Sequence, residues 1–254
     1  MAYPDWLSFE DYEKSVHNLV DLYFWYLNNH LKKSQEPLVK ALRSRVDLGH
    51  RSPIARDHGT PDWEHHSWQT LEKELTHLFL RGNPGEFENK GRQSAKDFIQ
   101  PKLREDWQSS PGGDWPFGCL ALEEPGTWDP DPQTVFFHVG NPLAPRSILS
   151  QPGYLEESLK QAALWARKNW GPDLIFTTET WLNSHPRFLA AFPPLWTENL
   201  QTPNQEIAWH LGFWGQFQTA QGTFHEKNAE NFRKTGILPF SVRRSSLSSN
   251  LFMT

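Results

Sequence analysis

Two apolar runs that flank an amphipathic stretch constrain the fold of this chain more than any other feature. Residues 134–139 (Thr-Val-Phe-Phe-His-Val) and 174–178 (Leu-Ile-Phe-Thr-Thr) are rich in β-branched and aromatic side chains, which is typical of strands. Between them, residues 155–166 carry leucine and alanine at helical spacing, and Gly171-Pro172 follows as a stop signal. A strand, a helix and a strand at this spacing predict a right-handed crossover that makes the two strands parallel.

The first third of the chain predicts helices. Large apolar side chains recur at steps of three and four residues from position 9 to position 27, and Ser8 stands where an N-cap is expected. Shorter patterns of the same kind run through residues 38–46, 68–78 and 95–99, and Pro101 is expected to end or bend the last helix. The predicted buried face of the first helix consists of Phe9, Tyr12, Val16, Leu19, Tyr23 and Leu27.

The remaining segments predict loops and set the expected domain organisation. Residues 83–91 and the longer stretch 108–133 are rich in Pro and Gly and are expected to be loops. Residues 243–254 form a Ser-rich tail that we expect to be frayed. The fold class is therefore α/β or α+β, with a helical N-terminal region (1–107) packed on a small, partly parallel sheet (134–242). We expect these regions to form one compact unit.

The composition favours a globular protein that binds neither nucleic acid nor membrane. Hydrophobic residues make up 37% of the chain, with 13 Trp and 17 Phe, so a core can form. The net charge of −5 gives no basic field for nucleic acid, and the sequence contains no apolar stretch suited to a bilayer. The lone cysteine, Cys119, and an N-terminus unlike a secretory signal predict a cytoplasmic protein. The oligomeric state is left open.

Histidines and carboxylates concentrate between residues 47 and 66. Imidazole and carboxylate groups suit zinc, iron or manganese, although no familiar metal-binding spacing such as His-Glu-x-x-His occurs. One hypothesis is therefore a metal-dependent enzyme that uses His58, His65 and His66. The alternative is a polar loop whose side chains cap its own turns.

Polar residues also follow both predicted strands. Because ligands bind at the carboxyl ends of parallel strands, His138 and the segment 179–187 are expected to share one rim. His138 or Glu179 is the predicted general base there, and Asn183 and Trp181 are predicted to position a substrate, with Asn141 and Ser184 as further binding residues. The alternative is that these groups only cap helices and fill the core.

A run of aromatic residues separated by glycines covers positions 209–217. His210 and Trp214 are candidate substrate-binding residues of an apolar pocket, which would also suit a non-catalytic ligand-binding or interaction module. The alternative is ordinary core. The sequence has no Gly-x-Ser-x-Gly elbow, P-loop or dinucleotide fingerprint.

Short motifs follow one another in a distinctive order between residues 136 and 217. They are Phe137-His138, Pro142-Leu143, Ser158-Leu159 with Ala162, Thr180-Trp181-Leu182-Asn183-Ser184 and Phe192-Pro193. This third of the chain resembles the C-terminal domain of N-acetyltransferase-like acyltransferases, and it is also similar to families of uncharacterised microbial proteins. The resemblance implies a transferase of specialised metabolism with acyl-CoA as a possible cofactor. The family's phosphate-binding pattern, Gln/Arg-x-x-Gly-x-Gly/Ala, is absent here.

Overall fold

The computed structural model describes residues 6–56, 61–109, 115–127, 129–203 and 211–253. The chain divides into two compact units. The helical unit comprises residues 1–110 and 205–237, and the sheet unit comprises residues 111–204 and 238–254. The second unit is therefore completed by the last segment of the chain.

The regular elements of both units follow in chain order. The helices are α1 (Phe9–Leu31), α2 (Leu38–Ser44), α3 (His66–Leu80), α4 (Pro84–Ser109), α5 (Tyr154–Trp170), α6 (Pro186–Leu189), α7 (Pro194–Glu198), α8 (Leu211–Trp214) and α9 (Glu226–Thr235). The strands are β1 (Leu120–Leu122), β2 (Thr134–Val139), β3 (Ile175–Thr180) and β4 (Arg243–Ser248). None of the described helices combines the length and the apolar character needed to cross a bilayer.

Helix α1 forms as predicted and supplies a large part of the helical unit's core. The Ser8 side chain accepts a hydrogen bond from the Asp11 backbone N–H at 3.1 Å, which caps the first turn. The middle and end of the predicted face are buried, whereas Phe9 and Tyr12 remain partly exposed. Helix α4 packs against α1, and Gly91 allows this close approach because a Cβ atom there would lie 2.5 Å from the Phe24 ring.

Helix α4 corrects two of the sequence predictions. Residues 83–91 were predicted to form a loop, but the helix begins at Pro84, and the Asn83 side chain accepts a hydrogen bond from the Glu86 N–H at 3.1 Å. Proline is compatible with a first helical turn because a backbone N–H at that position would have no partner within the helix. Pro101 was predicted to end or bend the helix. Helix α4 runs through it to Ser109, so the predicted end is wrong, and the predicted bend stays a prediction.

Four strands form one sheet in the order β1-β2-β3-β4. Strands β2 and β3 are parallel, as the strand-helix-strand pattern predicts, while β1 and β4 are antiparallel to their neighbours. Two predictions need correction here. The stretch 108–133 contains the short strand β1, and the supposedly frayed tail contains β4, which pairs with β3 over six residues.

The two faces of this sheet differ in character. One face packs on α5 and contributes alternate residues to the hydrophobic core, including Val135, Phe137, Phe176 and Leu247. Side chains alternate along a strand, so the intervening residues lie on the opposite face. This second face, here called the polar face, carries Phe136, His138, Thr177, Glu179, Arg244 and Ser246.

Candidate functional site

A histidine and a carboxylate form a close pair on the polar face. His138 on β2 is the register partner of Ala121 on β1, and Glu123 follows directly after β1. His138 Nε2 lies 2.8 Å from Glu123 Oε1, and the two side chains are 51% and 37% exposed. With Nε2–H donated to the carboxylate, Nδ1 carries the lone pair and is available as a base.

Glu179 lies on the strand next to His138. The parallel register pairs Thr134 with Ile175 and Phe136 with Thr177. Continued by two residues, this register aligns His138 with Glu179 on the same face, with neighbouring strands about 4.8 Å apart. Side-chain alternation thus puts the two residues that the sequence predicts as bases on the same face of neighbouring strands.

Arg244 adds a positive charge to the polar face, and the sequence analysis missed it. It is the register partner of Glu179, its guanidinium lies 5.2 Å from the centroid of the Phe136 ring, and its Nη2 donates to Asp129 Oδ2 at 2.6 Å. The Asp131 N–H and Arg244 both lower the pKa of Asp129, so this carboxylate stays ionised. Burial alternates along β4, but Leu247 is the single apolar residue of Arg243–Ser248, so residue type gave little signal for a strand at this position.

Asn183, in the segment after β3, has a structural role. Asn183 is fully buried, and its amide donates to the Thr178 and Arg243 carbonyls at 3.0 and 2.9 Å. Its Oδ1 accepts from Trp196 Nε1 at 3.0 Å. Both N–H groups of the Asn183 amide therefore donate to backbone carbonyls, and none remains to bind a substrate.

The neighbouring predicted binding residues also make contacts within the sheet unit. Ser184 Oγ donates to the Ser241 carbonyl at 2.7 Å, and the Trp181 ring packs against Phe240 at 5.6 Å between centroids. Asn141 Oδ1 accepts from the Ile148 N–H at 3.3 Å and so helps to hold the loop after β2. Their predicted roles in substrate binding stay predictions.

Replacing Gly140, which directly follows β2, with Ala is expected to disturb the packing of the Trp115 ring against the backbone. A Cβ atom at Gly140 would collide with the six-membered ring of Trp115, so the indole would have to move, at a cost of about 1–3 kcal/mol. Thermal unfolding and tryptophan fluorescence measure both effects. Gly85→Ala is the matched control, because its Cβ would meet no atom closer than 3.6 Å. Equal stability of the two variants would contradict the packing described here.

The aromatic run at 209–217 belongs to the core where it is described. Trp214 is fully buried, donates from Nε1 to the Arg45 carbonyl at 3.0 Å and packs edge-on against Tyr23 at 4.6 Å. His210 lies outside the described residues. The described rings thus favour ordinary core over the predicted pocket.

The predicted metal ligands show no shared centre in the described residues. His65 caps α3, since its Nδ1 accepts from the Ser67 N–H at 3.3 Å, and His66 is an exposed first residue of that helix. His58 lies outside the described residues. Within the described ranges, no three His, Cys, Asp or Glu side chains are grouped so that they could hold a metal ion.

Comparison with known proteins returned no relative of this chain. No protein-family model, no curated protein and no solved structure matches it. The resemblance to N-acetyltransferase-like acyltransferases therefore stays a prediction.

Proposed function

We propose that this protein is a small-molecule enzyme that transfers an acyl group, with the polar face of the sheet as its reacting centre. The observation that carries the proposal is the 2.8 Å pair of His138 and Glu123 on an exposed part of that face. A carboxylate that accepts from one ring nitrogen fixes the tautomer and orientation of the imidazole, which suits the other nitrogen to proton transfer.

In such a reaction, the residues on the polar face act as a general base and as a positive charge near the reacting carbonyl. His138 Nδ1 takes the proton from an acceptor hydroxyl or amine as that group attacks the acyl carbonyl. Arg244 supplies positive charge toward the oxyanion that develops on the carbonyl oxygen. The imidazolium of His138, stabilised by Glu123, then returns the proton to the leaving group.

Direct transfer to the acceptor fits the sheet unit better than a covalent enzyme intermediate. Cys119 is buried in the core, and burial raises the pKa of its thiol, so it is a poor nucleophile. Activation of the acceptor itself by His138 needs no protein nucleophile. The acyl carrier is left open, because the phosphate-binding pattern of the acyltransferases is absent from the sequence.

Thiol release from short acyl thioesters, including acyl-CoA, tests this proposal in the presence of a panel of amines and alcohols. His138→Gln is expected to lower turnover by about 10²–10⁴-fold, the usual contribution of a general base. Its stability should stay within about 0.5 kcal/mol of the parent, because the side chain is largely exposed. Glu123→Gln should lower turnover less and leave the fold intact.

His66→Gln is the matched control, because it removes an exposed histidine from the helical unit. It should keep the parental rate. Absence of turnover with every thioester would count against acyl transfer. Parental turnover in His138→Gln would exclude this residue as the base, and a large loss of stability would show that its role is structural.

A further inference from the structure

A buried arginine lies in the core region of the helical unit. The Arg51 side chain is 12% exposed, and it interacts electrostatically with Tyr12 and Tyr23 of α1 and with Asp106 of α4. Tyr23 is fully buried. Side chains of α1 and α4 thus surround the Arg51 guanidinium, which belongs to the segment after α2.

Two buried polar groups at this position, Arg51 Nε–H and the Tyr23 hydroxyl, have no hydrogen-bond partner among the described residues. Arg51 Nε is buried without a hydrogen-bond partner, and the Asp47 Oδ2 atom beside it lies 3.6 Å away, beyond hydrogen-bonding distance. The buried Tyr23 hydroxyl likewise has no partner within hydrogen-bonding geometry. Burial raises the pKa of this hydroxyl, and the nearby Arg51 guanidinium opposes that rise. Buried donors of this kind cost free energy until an acceptor meets them.

The same unit contains a second arginine, Arg45, whose guanidinium donates to a carboxylate of the chain. Arg45 donates from Nε and Nη2 to the two carboxylate oxygens of Glu36, at 3.1 and 3.2 Å, and Tyr26 interacts electrostatically with both residues. This forked arrangement is the one that a guanidinium prefers for carboxylate and phosphate groups. At Arg51, the ion pair with Asp47 places Oδ2 3.6 Å from Nε and does not reproduce this forked arrangement.

The carboxylates around Arg51 have other polar partners beside them. Asp47 lies 3.0 Å from His50 Nδ1, and Asp106 lies 3.3 Å from Lys102 Nζ. Burial raises the pKa of Asp106, whereas Lys102 and Arg51 lower it. Tyr12 and His50 are partly exposed, so the cluster extends from the core to the surface.

We propose that Arg51 and the hydroxyls of Tyr12 and Tyr23 form a binding site for a small oxyanion, the carboxylate or phosphate group of a metabolite. The guanidinium donates to two oxygens of the anion, as Arg45 does to Glu36, and the Tyr23 hydroxyl donates to one of them. The site lies in the helical unit and does not depend on acyl transfer.

Anion-dependent stability of the full chain tests this site. Inorganic phosphate and acetate are titrated separately, with sodium chloride at the same ionic strength as reference, while Tm and the ¹⁵N resonance of Arg51 Nε–H are followed. We expect one of the two anions to raise Tm and shift this resonance, because a ligand that binds only the folded state stabilises it. The preference between phosphate and acetate identifies which oxyanion the site takes.

Tyr23→Phe is the decisive variant, because it removes one unpaired buried hydroxyl and keeps the ring. It should fold like the parent and bind the anion about 10- to 100-fold more weakly, as expected for a lost hydrogen bond to a charged group. Tyr26→Phe is the matched control near Arg45 and should bind like the parent. No effect of either anion beyond that of chloride would overturn the proposal, as would equal binding by the two variants.

Discussion

Deletion of residues 243–254 is expected to unfold the sheet unit. Strand β4 pairs with β3 along its whole length, and Leu247 and Phe252 are buried in the core beneath the sheet. The Ser245 hydroxyl donates to the Trp196 carbonyl at 2.6 Å and ties the strand to α7. Losing one large buried side chain typically costs about 2–5 kcal/mol. The combined loss therefore approaches the whole stability of an ordinary domain, about 5–15 kcal/mol.

Denaturant unfolding and near-ultraviolet circular dichroism of the truncated chain provide the measurement. Leu247→Ala is the finer probe and should lose about 2–5 kcal/mol. Leu195→Ala removes an exposed leucine from the same unit and should change stability by less than about 1 kcal/mol. A truncated protein with the parental unfolding midpoint would show that β4 is dispensable, as the sequence analysis predicted for a frayed tail.

Replacing Asn183 with Leu is expected to destabilise the sheet unit by about 3–5 kcal/mol, because each buried partner left without a hydrogen bond costs about 1–3 kcal/mol. The three partners are the Thr178 and Arg243 carbonyls and the Trp196 indole N–H. Leucine has a similar volume and cannot bond to any of them. The loss should appear in denaturant unfolding of the purified variant.

Asn199→Leu is the matched control, because the Asn199 amide makes an exposed hydrogen bond to the Ser246 carbonyl at 3.0 Å. It should lose at most about 1 kcal/mol. The pair also decides between the two roles considered for Asn183. Parental stability together with lost turnover would instead support substrate positioning by this residue.

Much of the local structure could be predicted because it depends on neighbours in the sequence. Ser8 caps α1 through a residue three positions later, and Gly236 ends α9 at a positive φ of 70° that suits glycine. The start of α9 shows the limit of such signals. Thr223 and Glu226 have the Thr-x-x-Glu spacing of a capping box, but the Thr223 hydroxyl pairs with Thr219, and His225 takes the capping position.

The candidate site was only partly predictable. The pattern of two strands and a connecting helix predicts a parallel pair, and parallel strands place His138 and Glu179 on one face. Glu123 and Arg244 could not be assigned to that face, because the antiparallel pairings of β1 and β4 bring them there. Asp129 is joined to the face through its hydrogen bond with Arg244. Asn183 has a side chain equally suited to binding a substrate and to joining backbone groups, and its burial favours the second role.

The sequence by itself determined where α1, β2, α5 and β3 form, since the apolar periodicity and turn residues that define them act over a few positions. Only the tertiary structure decided that a Ser-rich segment would become β4. Its backbone groups find partners on β3, and Leu247 reaches the core only once that pairing exists. The pairing of His138 with Glu123 and the unpaired Nε–H of Arg51 likewise depend on how distant segments pack, which no local pattern encodes.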